Sequence, residues 1–514
     1  MHYKKTPLVT ALLFLFVSFQ VASQTAALPR SIASAEGVSA KKIIEFIDTI
    51  NKSKHELHSI MILRHGKVIA EGWWSPYRSD LKHTLYSLSK SFTSTAIGFA
   101  VSEKKLTVND KVISFFPDKL PEKISENLSA LTIKDLLSMS VGQSPDPTGP
   151  VVISKDWIKT FFSIPILKKP GSEFLYNSSA TYMLSAIVQK VTGQKIIDYL
   201  TPRLFKPLGI QGADWETDPS GISVGGWGLR VKTEDIAKFA QLYLQKGKWK
   251  GKQILPAAWI EEATTFKIDN APGLEQVRKD SSDWRQGYCY QFWRSRHNSY
   301  RGDGAFGQYA LVLPELDAVI AITSETTDMQ GELNLVWQYL IPALKADKAS
   351  LSKNEDAILK RKLSGLKLLP PKSLYDLSSK PVLPKTFAME SNPKNIESIS
   401  FDHTDKIIRL DIKTKTGSYQ IKFGDGKWIE GTTTMHGPSL VEGAQNHFIG
   451  LPPSQIAGAY SWRSETILDM RLRFIDSPHT LIITFSFEGD KITVDLLDSF
   501  KTPDKKIVLK GKAT

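Results

Sequence analysis

Hydrophobic positions along the chain change from helical spacing to strand spacing and back, and this order predicts the architecture. Apolar residues between 43 and 50 follow a 3.6-residue period, which predicts an amphipathic helix. Residues 59–63 and 68–73 are two strand-like runs joined by a polar turn, the pattern of a hairpin. Amphipathic helical patterns then dominate a long stretch, which includes residues 182–191, 196–204 and 234–244.

Strand-like patterns return near the end of this first part of the chain. Residues 288–293, 308–312 and 318–323 have strand character, and residues 334–344 are again an amphipathic helical pattern. Helices therefore lie between an N-terminal and a C-terminal group of strands. This order predicts an α+β fold, in which one antiparallel sheet is assembled from both ends of a domain and carries helices on its faces.

The character of the chain changes near residue 346. Residues 346–380 are rich in Lys, Ser and Pro around one short helical stretch, and we interpret them as a linker. Beyond the linker, strand-like runs separated by Gly and Asp turns predict a small all-β sandwich or barrel. The predicted organisation is a signal segment at 1–23, a first domain at 24–345, a linker at 346–380 and an all-β domain at 381–514.

The first residues have the pattern of a secretory signal. Basic residues near the start precede an apolar run at 8–17, and small residues follow at 21–23, so cleavage after Ser23 is expected. The alternative is an uncleaved membrane anchor, but the apolar run at 8–17 is shorter than a bilayer-spanning helix, which needs about 20 residues. The expectation is an exported protein, periplasmic or secreted, with no membrane span after cleavage.

Composition and charge narrow the classes of function. The 514 residues are 41% hydrophobic and 23% charged, as in ordinary globular proteins. The formal net charge is +13, and it falls to +11 when Lys4 and Lys5 leave with the signal. The basic residues are scattered, without an interleaved aromatic ladder, which argues against a nucleic-acid surface. Weak attraction to an anionic cell envelope is the expected consequence.

Cysteine, histidine and glycine patterns argue against a metal or a nucleotide cofactor. Cys289 is the single cysteine, so no intrachain disulfide can form, and we expect it to be a packed strand residue. The ten histidines show no ligand spacing such as His-x-x-x-His. The glycines at 302, 304 and 307 match a dinucleotide fingerprint, but a strand pattern follows them instead of a helix.

Candidate chemistry begins with Ser87 and Lys90, which precede an apolar-rich run at 96–101. In a helix that starts near Tyr86, the two side chains share one face. A serine hydroxyl is a poor nucleophile unless a base lies beside it. A lysine one turn away can be that base if burial or a neighbouring cation lowers its pKa.

Two later segments add candidate groups. Pro170-Gly171 and the polar residues after it place Tyr176 on a loop before a helix, and a phenol near a cationic lysine is expected to lose its proton more easily than in water. Such a tyrosine could relay a proton between serine and leaving group. The glycine-rich segment at 299–309 would let backbone N–H groups approach a ligand closely. The alternatives are a core tyrosine and an ordinary glycine-rich hairpin.

Together these segments resemble the penicillin-recognising serine hydrolases, in particular the class C β-lactamase-related branch of esterases, DD-peptidases, D-aminopeptidases and oligoamide hydrolases. The resemblance covers about residues 40–345. It implies that Ser87 is the acylated nucleophile, that Lys90 is its general-base partner, and that Tyr176 deprotonates the serine and returns the proton to the leaving group. It also implies that the backbone N–H groups of Ser87 and Ala305 hold the oxyanion.

The chain departs from this family pattern in two places. The Tyr-x-Asn motif ends in Ser178 here, which can hydrogen-bond Lys90 or a substrate carbonyl but lacks the paired donor and acceptor of an amide. The third motif contains no Lys-Thr-Gly, whose cation binds the β-lactam carboxylate, so efficient β-lactamase activity is not expected. Arg301 is a candidate replacement, and Gly304 is a candidate for substrate contact.

The missing tripeptide does occur elsewhere in the sequence, as Lys415-Thr416-Gly417. It lies in the predicted all-β domain, in a stretch whose alternation is typical of a strand with lysines facing solvent. The glycine-rich segment at 299–309 is followed by the strand, Pro-Glu turn and second strand that the family pattern has after its third motif. We therefore expect the third motif at 299–309.

The sequence thus predicts an exported serine hydrolase that cleaves an ester or amide in a small molecule or short peptide. One alternative is a DD-peptidase or D-amino-acid peptidase that acts on peptidoglycan-derived peptides. Another is a non-catalytic binding or sensory protein on the same fold. The all-β domain is expected to shape the entrance of the site or to bind envelope material. The sequence leaves the substrate and the oligomeric state open.

Overall fold

The computed structural model of the protein describes the following residues: 27–347, 351–373, 386–441, 443–446 and 448–514. The predicted signal segment at 1–23 lies outside the described residues. Up to residue 373, the described part of the chain contains helices and short strands that surround one larger sheet. The strands are β1 (Glu56–Arg64), β2 (Lys67–Trp73), β3 (His83–Thr84), β4 (Asp214–Trp215), β5 (Leu229–Val231), β6 (Lys248–Trp249), β7 (Lys252–Gln253), β8 (Trp293–Ser295), β9 (Ser299–Gly304), β10 (Gln308–Leu313) and β11 (Ala318–Glu325).

The larger sheet is antiparallel and has the order β2-β1-β11-β10-β9-β8. Its N-terminal hairpin pairs with the last strand of the C-terminal group, where Ile60 lies opposite Ile322. The predicted assembly of one sheet from both ends of a domain is therefore confirmed. Ile60 and Ile62 face one side of the sheet, whereas Met61 and Leu63 face the other, because strand side chains alternate.

Helices cover both faces of this sheet. The helices at 40–52, 329–344 and 353–364 pack on one face, and the helix at 89–102, which contains Lys90, packs with others on the opposite face. The α-helices are α1 (Ala40–Lys52), α2 (Ser89–Ser102), α3 (Glu126–Ala130), α4 (Ile133–Leu137), α5 (Thr148–Val152), α6 (Trp157–Ser163), α7 (Ser178–Thr192), α8 (Ile196–Leu200), α9 (Lys206–Leu208), α10 (Thr233–Leu244), α11 (Ala257–Thr264), α12 (Gln276–Asp280), α13 (Met329–Leu335), α14 (Ile341–Leu344) and α15 (Lys353–Ser364).

One predicted strand is wrong. Residues 288–293 do not form a continuous strand, since β8 begins only at Trp293. Gln291 has a φ of +65°, which breaks the extended backbone, and its side-chain amide donates to the carbonyls of Leu136 and Leu137 at 3.1 and 2.9 Å. The segment is a turn that ties the sheet to α4, because Gln291 satisfies buried carbonyls at the end of that helix.

The segment that we interpreted as a linker contains α15, which joins the hydrophobic core beneath the sheet. Leu359, Leu363 and Leu366 are buried there against the side of β2 and α1. The Cβ that Gly72 lacks would lie 2.7 Å from Leu366, so the absence of a side chain in β2 makes room for this contact. The domain boundaries at 345 and 381 stay a prediction.

The C-terminal strands form a closed barrel, so of the two predicted all-β architectures the barrel is present. Nine strands follow one another in the order β15-β14-β13-β12-β21-β20-β19-β18-β17. The ring closes where β17 pairs with β16 along its first half and with β15 in parallel at Ala459 and Tyr460. The strands are β12 (Thr386–Met389), β13 (Ile396–Thr404), β14 (Ile407–Thr414), β15 (Gly417–Asp425), β16 (Ile429–Thr433), β17 (Ser454–Ser464), β18 (Ile467–Phe474), β19 (Thr480–Glu488), β20 (Lys491–Asp498) and β21 (Ile507–Ala513).

The barrel packs against the first part of the chain through the end that carries the β18–β19 hairpin. Arg473 pairs with both carboxylate oxygens of Glu56, and Asp476 pairs with Arg230 at 2.8 Å. The backbone N–H of Thr84 donates to the Asp476 carbonyl at 2.9 Å. These charged groups are largely buried and mutually paired, so the interface fixes the barrel end beside the strand that leads to Ser87.

Candidate active site

Ser87 lies in a single 3-10 turn, Tyr86–Leu88, directly before α2. Lys90 follows in the first turn of α2, and its Nζ lies 3.2 Å from the Ser87 Oγ. The lysine side chain is 1% exposed. Its ammonium or amine also contacts the Ser178 Oγ at 2.9 Å and the Gly226 carbonyl at 2.6 Å. The structure therefore brings the first two predicted groups together.

Burial changes the protonation of the lysine. Removal from water lowers the pKa of Lys90 from 10.5 to about 7, although the carboxylate of Asp146 acts in the other direction. The partners at hydrogen-bond distance are two hydroxyls and a carbonyl, none of which carries a charge that would hold the ammonium form. At neutral pH a large fraction of this amine is unprotonated and can accept a proton.

Tyr176 lies beside the amine of Lys90. Its ring centroid is 5.0 Å from Lys90 Nζ, and the ring stacks on Trp293 at 5.6 Å. Burial raises the pKa of Tyr176, although an interaction with the Ser87 hydroxyl acts in the other direction. The expectation of an easily ionised phenol is wrong, because desolvation outweighs the nearby amine, which is itself largely neutral. Tyr176 holds its proton at neutral pH.

The segment after Tyr176 closes the site from the start of α7. Asn177 caps this helix by accepting from the N–H of Ala180 at 3.0 Å, and its amide donates to Gln143 at 3.0 Å. The next residue, Ser178, therefore points its hydroxyl at Lys90. The predicted contact between Ser178 and Lys90 is confirmed, and a contact between Ser178 and substrate stays a prediction.

Glycines let the edge of β9 lie directly against the turn that carries Ser87. A Cβ on Gly304 would lie 2.1 Å from the Leu85 carbonyl oxygen, and one on Gly302 would lie 2.2 Å from a leucine of the same turn. Any larger residue would push the strand away. Ala305 follows Gly304 at the end of this strand. The oxyanion role of the Ser87 and Ala305 N–H groups, and substrate contact at Gly304, stay predictions.

Arg301 is enclosed instead of facing the site. It is fully buried, its Nε donates to Asp303 at 2.7 Å, and its Nη1 donates to the Asp283 carbonyl at 2.9 Å. The guanidinium also lies over the ring of Trp284 at 4.5 Å. This geometry offers no exposed cation to a substrate carboxylate, so it does not support the predicted substrate contact of Arg301.

Two further sequence motifs, Lys415-Thr416-Gly417 and the glycine fingerprint at 302–307, were not expected to act as a third catalytic motif or as a dinucleotide site. Lys415-Thr416-Gly417 falls at the turn between β14 and β15 in the barrel, and the β9–β10 hairpin occupies the edge beside Ser87, as predicted. The glycine fingerprint at 302–307 belongs to that hairpin and has no helix after it.

Cys289 is buried, and burial raises its pKa to about 12, so it lacks the properties of a nucleophile.

The described residues contain neither a metal-ligand cluster nor a membrane-spanning helix. Among these residues, no group of three or more His, Cys, Asp or Glu side chains has an arrangement that could hold a metal ion. No helix within the same described ranges is long and apolar enough to cross a bilayer.

Sequence reasoning missed a hydrogen-bonded chain that reaches the site from the barrel. The Tyr86 hydroxyl lies 2.5 Å from Nε2 of His479, and Nδ1 of His479 lies 2.6 Å from Glu325. Ser499, also from the barrel, donates to the same carboxylate at 2.6 Å. His479 is 0% exposed. The residue directly before Ser87 is therefore held by a side chain that lies 393 positions away in sequence.

Tyr86 adopts an uncommon backbone conformation, with a φ of +46°. This left-handed conformation costs a non-glycine residue of order 1–3 kcal/mol and persists only where surrounding contacts impose it. The contact with His479 and an edge-to-face contact with Phe306 at 5.6 Å are two such constraints. The only signal in the sequence was the position of Tyr86 beside Ser87.

Comparisons with known proteins agree with this geometry. A protein-family model described as Beta-lactamase matches residues 54–343. The 6-aminohexanoate-dimer hydrolase of Paenarthrobacter ureafaciens is 25% identical over 289 residues, which cover 52% of this chain and 73% of that protein. The "Putative D-alanyl-D-alanine carboxypeptidase" of Escherichia coli strain K12 is 31% identical over 142 residues, which cover 25% of this chain and 33% of that protein.

A solved structure shares the fold of the first part of the chain. The "Putative 6-aminohexanoate-dimer hydrolase from Bacillus anthracis" superimposes with a TM-score of 0.51 at 19% identity, over 62% of this chain and 88% of that one. The predicted resemblance and fold class are confirmed, because the family model spans more than half of the sequence and includes Ser87, Lys90 and Tyr176. This chain belongs to the beta-lactamase family of serine hydrolases.

Proposed function

We propose that the protein cleaves an amide or ester bond through an acyl-enzyme on Ser87. The observation that carries the proposal is the 3.2 Å contact between the Ser87 hydroxyl and a buried amine with a pKa of about 7. A neutral amine at this distance can accept the hydroxyl proton as the oxygen attacks. Lys90 is then the base, and Tyr176, which keeps its proton, is the acid.

In the first step Ser87 Oγ attacks the carbonyl carbon and its proton passes to Lys90 Nζ. The C=O π electrons move to oxygen, where the N–H groups of Ser87 and Ala305 stabilise the charge. The C–N or C–O bond then breaks with its electron pair on the leaving atom, which takes a proton from the Tyr176 phenol. Lys90 returns its proton to Tyr176. Water then attacks the acyl-serine through the same groups and releases the acid.

The burial of Arg301 disfavours a β-lactam, whose carboxylate lies close to the scissile bond. Arg301, the arginine within the third motif, is buried and paired with Asp303 at 2.7 Å. It therefore offers no exposed positive charge to a carboxylate beside the scissile bond. The relative from Paenarthrobacter ureafaciens is named for hydrolysis of a linear amide dimer, which supports linear amides as a substrate class.

Two alternatives keep some support. The relative from Escherichia coli favours a D-alanyl peptidase, but this chain spans only a third of it. A non-catalytic binding protein would not require a hydroxyl, a buried amine and a phenol in contact, and all three are present around Lys90.

A substrate panel separates these functions. We expect turnover of p-nitrophenyl esters and of 6-aminohexanoate dimer, slower release of D-alanine from D-Ala-D-Ala peptides, and the slowest hydrolysis of penicillin. The Ser87→Ala variant, which should fold normally, is the matched control for each compound. Fastest turnover of D-alanyl peptides would favour the peptidase, and no turnover of any compound would favour a binding protein.

The pH dependence follows from the protonation of Lys90. Only the unprotonated amine can accept the serine proton, so kcat/KM for a neutral ester should rise with pH through an apparent pKa of about 7 and level off above it. Below pH 6 the rate should fall about tenfold per unit. Stopped-flow or steady-state rates between pH 5 and 9 measure this limb. A profile that is flat from pH 5 to 8 would show that another base acts.

His479 is expected to position the nucleophile. His479→Ala removes the partner of the Tyr86 hydroxyl, so the turn before Ser87 should relax and kcat should fall about 10- to 100-fold with KM little changed. Tyr86→Phe should cause a similar loss, and the double variant should lose no more than either single one. His55→Ala, at a buried histidine that contacts Thr326, is the control. Additive losses would contradict a shared positioning role.

We also propose export, on the basis of the signal pattern at 1–23. The full chain should be recovered from periplasm or medium with a mature N-terminus after Ser23, as N-terminal sequencing would show. A variant without residues 2–23 should stay in the cytoplasm. Recovery of both forms in the cytoplasm would contradict the proposal.

A further inference from the structure

The barrel is filled unevenly along its axis. Towards the end remote from the catalytic part, aromatic rings pack against each other inside the barrel: Phe387, Phe401, Trp462, Phe485 and Phe487. Towards the end that carries the β18–β19 hairpin, a cavity of about 510 Å³ remains. A closed barrel of this size can hold one small ligand, and a cavity of this volume is in the range of ligand sites.

The walls of this cavity are aliphatic and come from strands on several sides of the ring. Alternate residues point inward, including Ile396, Leu481, Leu496 and Ile507, and Met435 covers them from the loop after β16. These five side chains are only partly buried, although they pack against the barrel core. Each leaves apolar surface facing the cavity, and a chain of methylenes would remove that surface from water.

The rim of the cavity is polar and mainly positive. Lys394, Lys501 and Lys505 line it, against one carboxylate, Asp498, which pairs with Lys501 at 2.8 Å. Threonines at 414 and 416 add hydroxyls to the lining. The lysines have protein partners, but their summed charge exceeds that of the single lining carboxylate. Such a rim attracts an anionic group and disfavours a cationic one.

We propose that this cavity is a second binding site, which takes an alkyl carboxylate: one hydrocarbon chain inside the barrel and the carboxylate at the lysine rim. The apolar walls supply affinity in proportion to chain length, and the lysines supply the preference for an anion. Neither Ser87 nor Lys90 nor Tyr176 lines this cavity, and the proposal does not depend on the proposed hydrolysis.

Titration calorimetry of the mature chain with octanoate, decanoate and dodecanoate, each below its micelle concentration, tests the proposal. We expect one site per chain, with a Kd that falls about fourfold for each added methylene. Dodecyltrimethylammonium should bind at least tenfold more weakly than dodecanoate. A Kd that is independent of chain length, equal binding of the cation, or no binding of dodecanoate would each overturn the proposal.

Two variants locate the site. Leu496→Trp fills the cavity at a partly buried position and should abolish binding of dodecanoate. Lys505→Glu acts at an exposed rim position, so it should fold normally and weaken dodecanoate about tenfold while decanol binds as before. Lys510→Glu, on the exposed face of β21, is the control and should bind like the natural sequence. Unchanged dodecanoate binding in both cavity variants would place the ligand elsewhere and refute the site.

Discussion

The Lys90→Ala variant is expected to fold and to lose about 10²- to 10⁴-fold in kcat/KM, the range of general acid–base catalysis. The amine lies 3.2 Å from Ser87 Oγ, and its pKa of about 7 suits a base at neutral pH. Its removal leaves the Gly226 carbonyl without that donor, which costs about 1–3 kcal/mol. Steady-state rates with a p-nitrophenyl ester, recorded beside a melting curve, separate the two effects.

Two control variants show whether activity depends on the ability of Lys90 to accept a proton or only on its positive charge. Lys90→Arg keeps a positive charge but cannot lose its proton, so it should be as inactive as the alanine variant. Lys238 is a similarly buried lysine that contacts Asp235 and Gly209 away from the site, and Lys238→Met should keep full specific activity. Activity of Lys90→Arg within tenfold of the natural sequence would contradict the role of Lys90 as a base.

The Tyr176→Phe variant is expected to lose about 10²- to 10³-fold in kcat with amide substrates and less than tenfold with p-nitrophenyl esters. An amide nitrogen needs a proton to leave, whereas p-nitrophenolate leaves without one. Tyr176 keeps its proton because burial raises its pKa, so it is suited to this transfer. The measurement is the ratio of kcat values for an amide and an ester that share one acyl group.

A second buried tyrosine, Tyr290, provides the control for loss of a phenol hydroxyl. Tyr290→Phe removes a buried phenol near Lys267, outside the cluster around Lys90, and should leave the amide-to-ester ratio unchanged. Equal losses with both substrates in Tyr176→Phe would show that the phenol acts before the leaving group departs. In that case the assignment of Tyr176 as the acid would be wrong.

The convergence of Ser87, Lys90 and Tyr176 could be predicted because each lies in a short motif with its own local signals. Helical spacing sets Ser87 and Lys90 on one face, and the turn residues at 170–171 set Tyr176 before a helix. The glycines of β9 were also informative, since only their lack of a side chain allows the approach to Leu85. The sequence was sufficient to predict these parts of the site because residues close together in the chain determine their geometry.

Other features depend on contacts that no local pattern contains. The chain from Tyr86 through His479 to Glu325 forms only after the barrel docks, and neither the histidine nor the glutamate lies in a motif. The burial of Arg301 depends on its pairing with Asp303 and on the rings above it. The protonation of Tyr176 was mispredicted because desolvation, which the sequence does not report, outweighs the neighbouring amine.

The covalent state of Ser87 during turnover tests the central claim most directly. The protein should be mixed with a slowly deacylating p-nitrophenyl ester, quenched in acid within seconds, and measured by intact-mass spectrometry, followed by peptide mapping. The account predicts a mass increase of one acyl group on the peptide that contains Ser87, and no increase in Ser87→Ala. An adduct on another residue, or ester hydrolysis at the natural rate by Ser87→Ala, would contradict it.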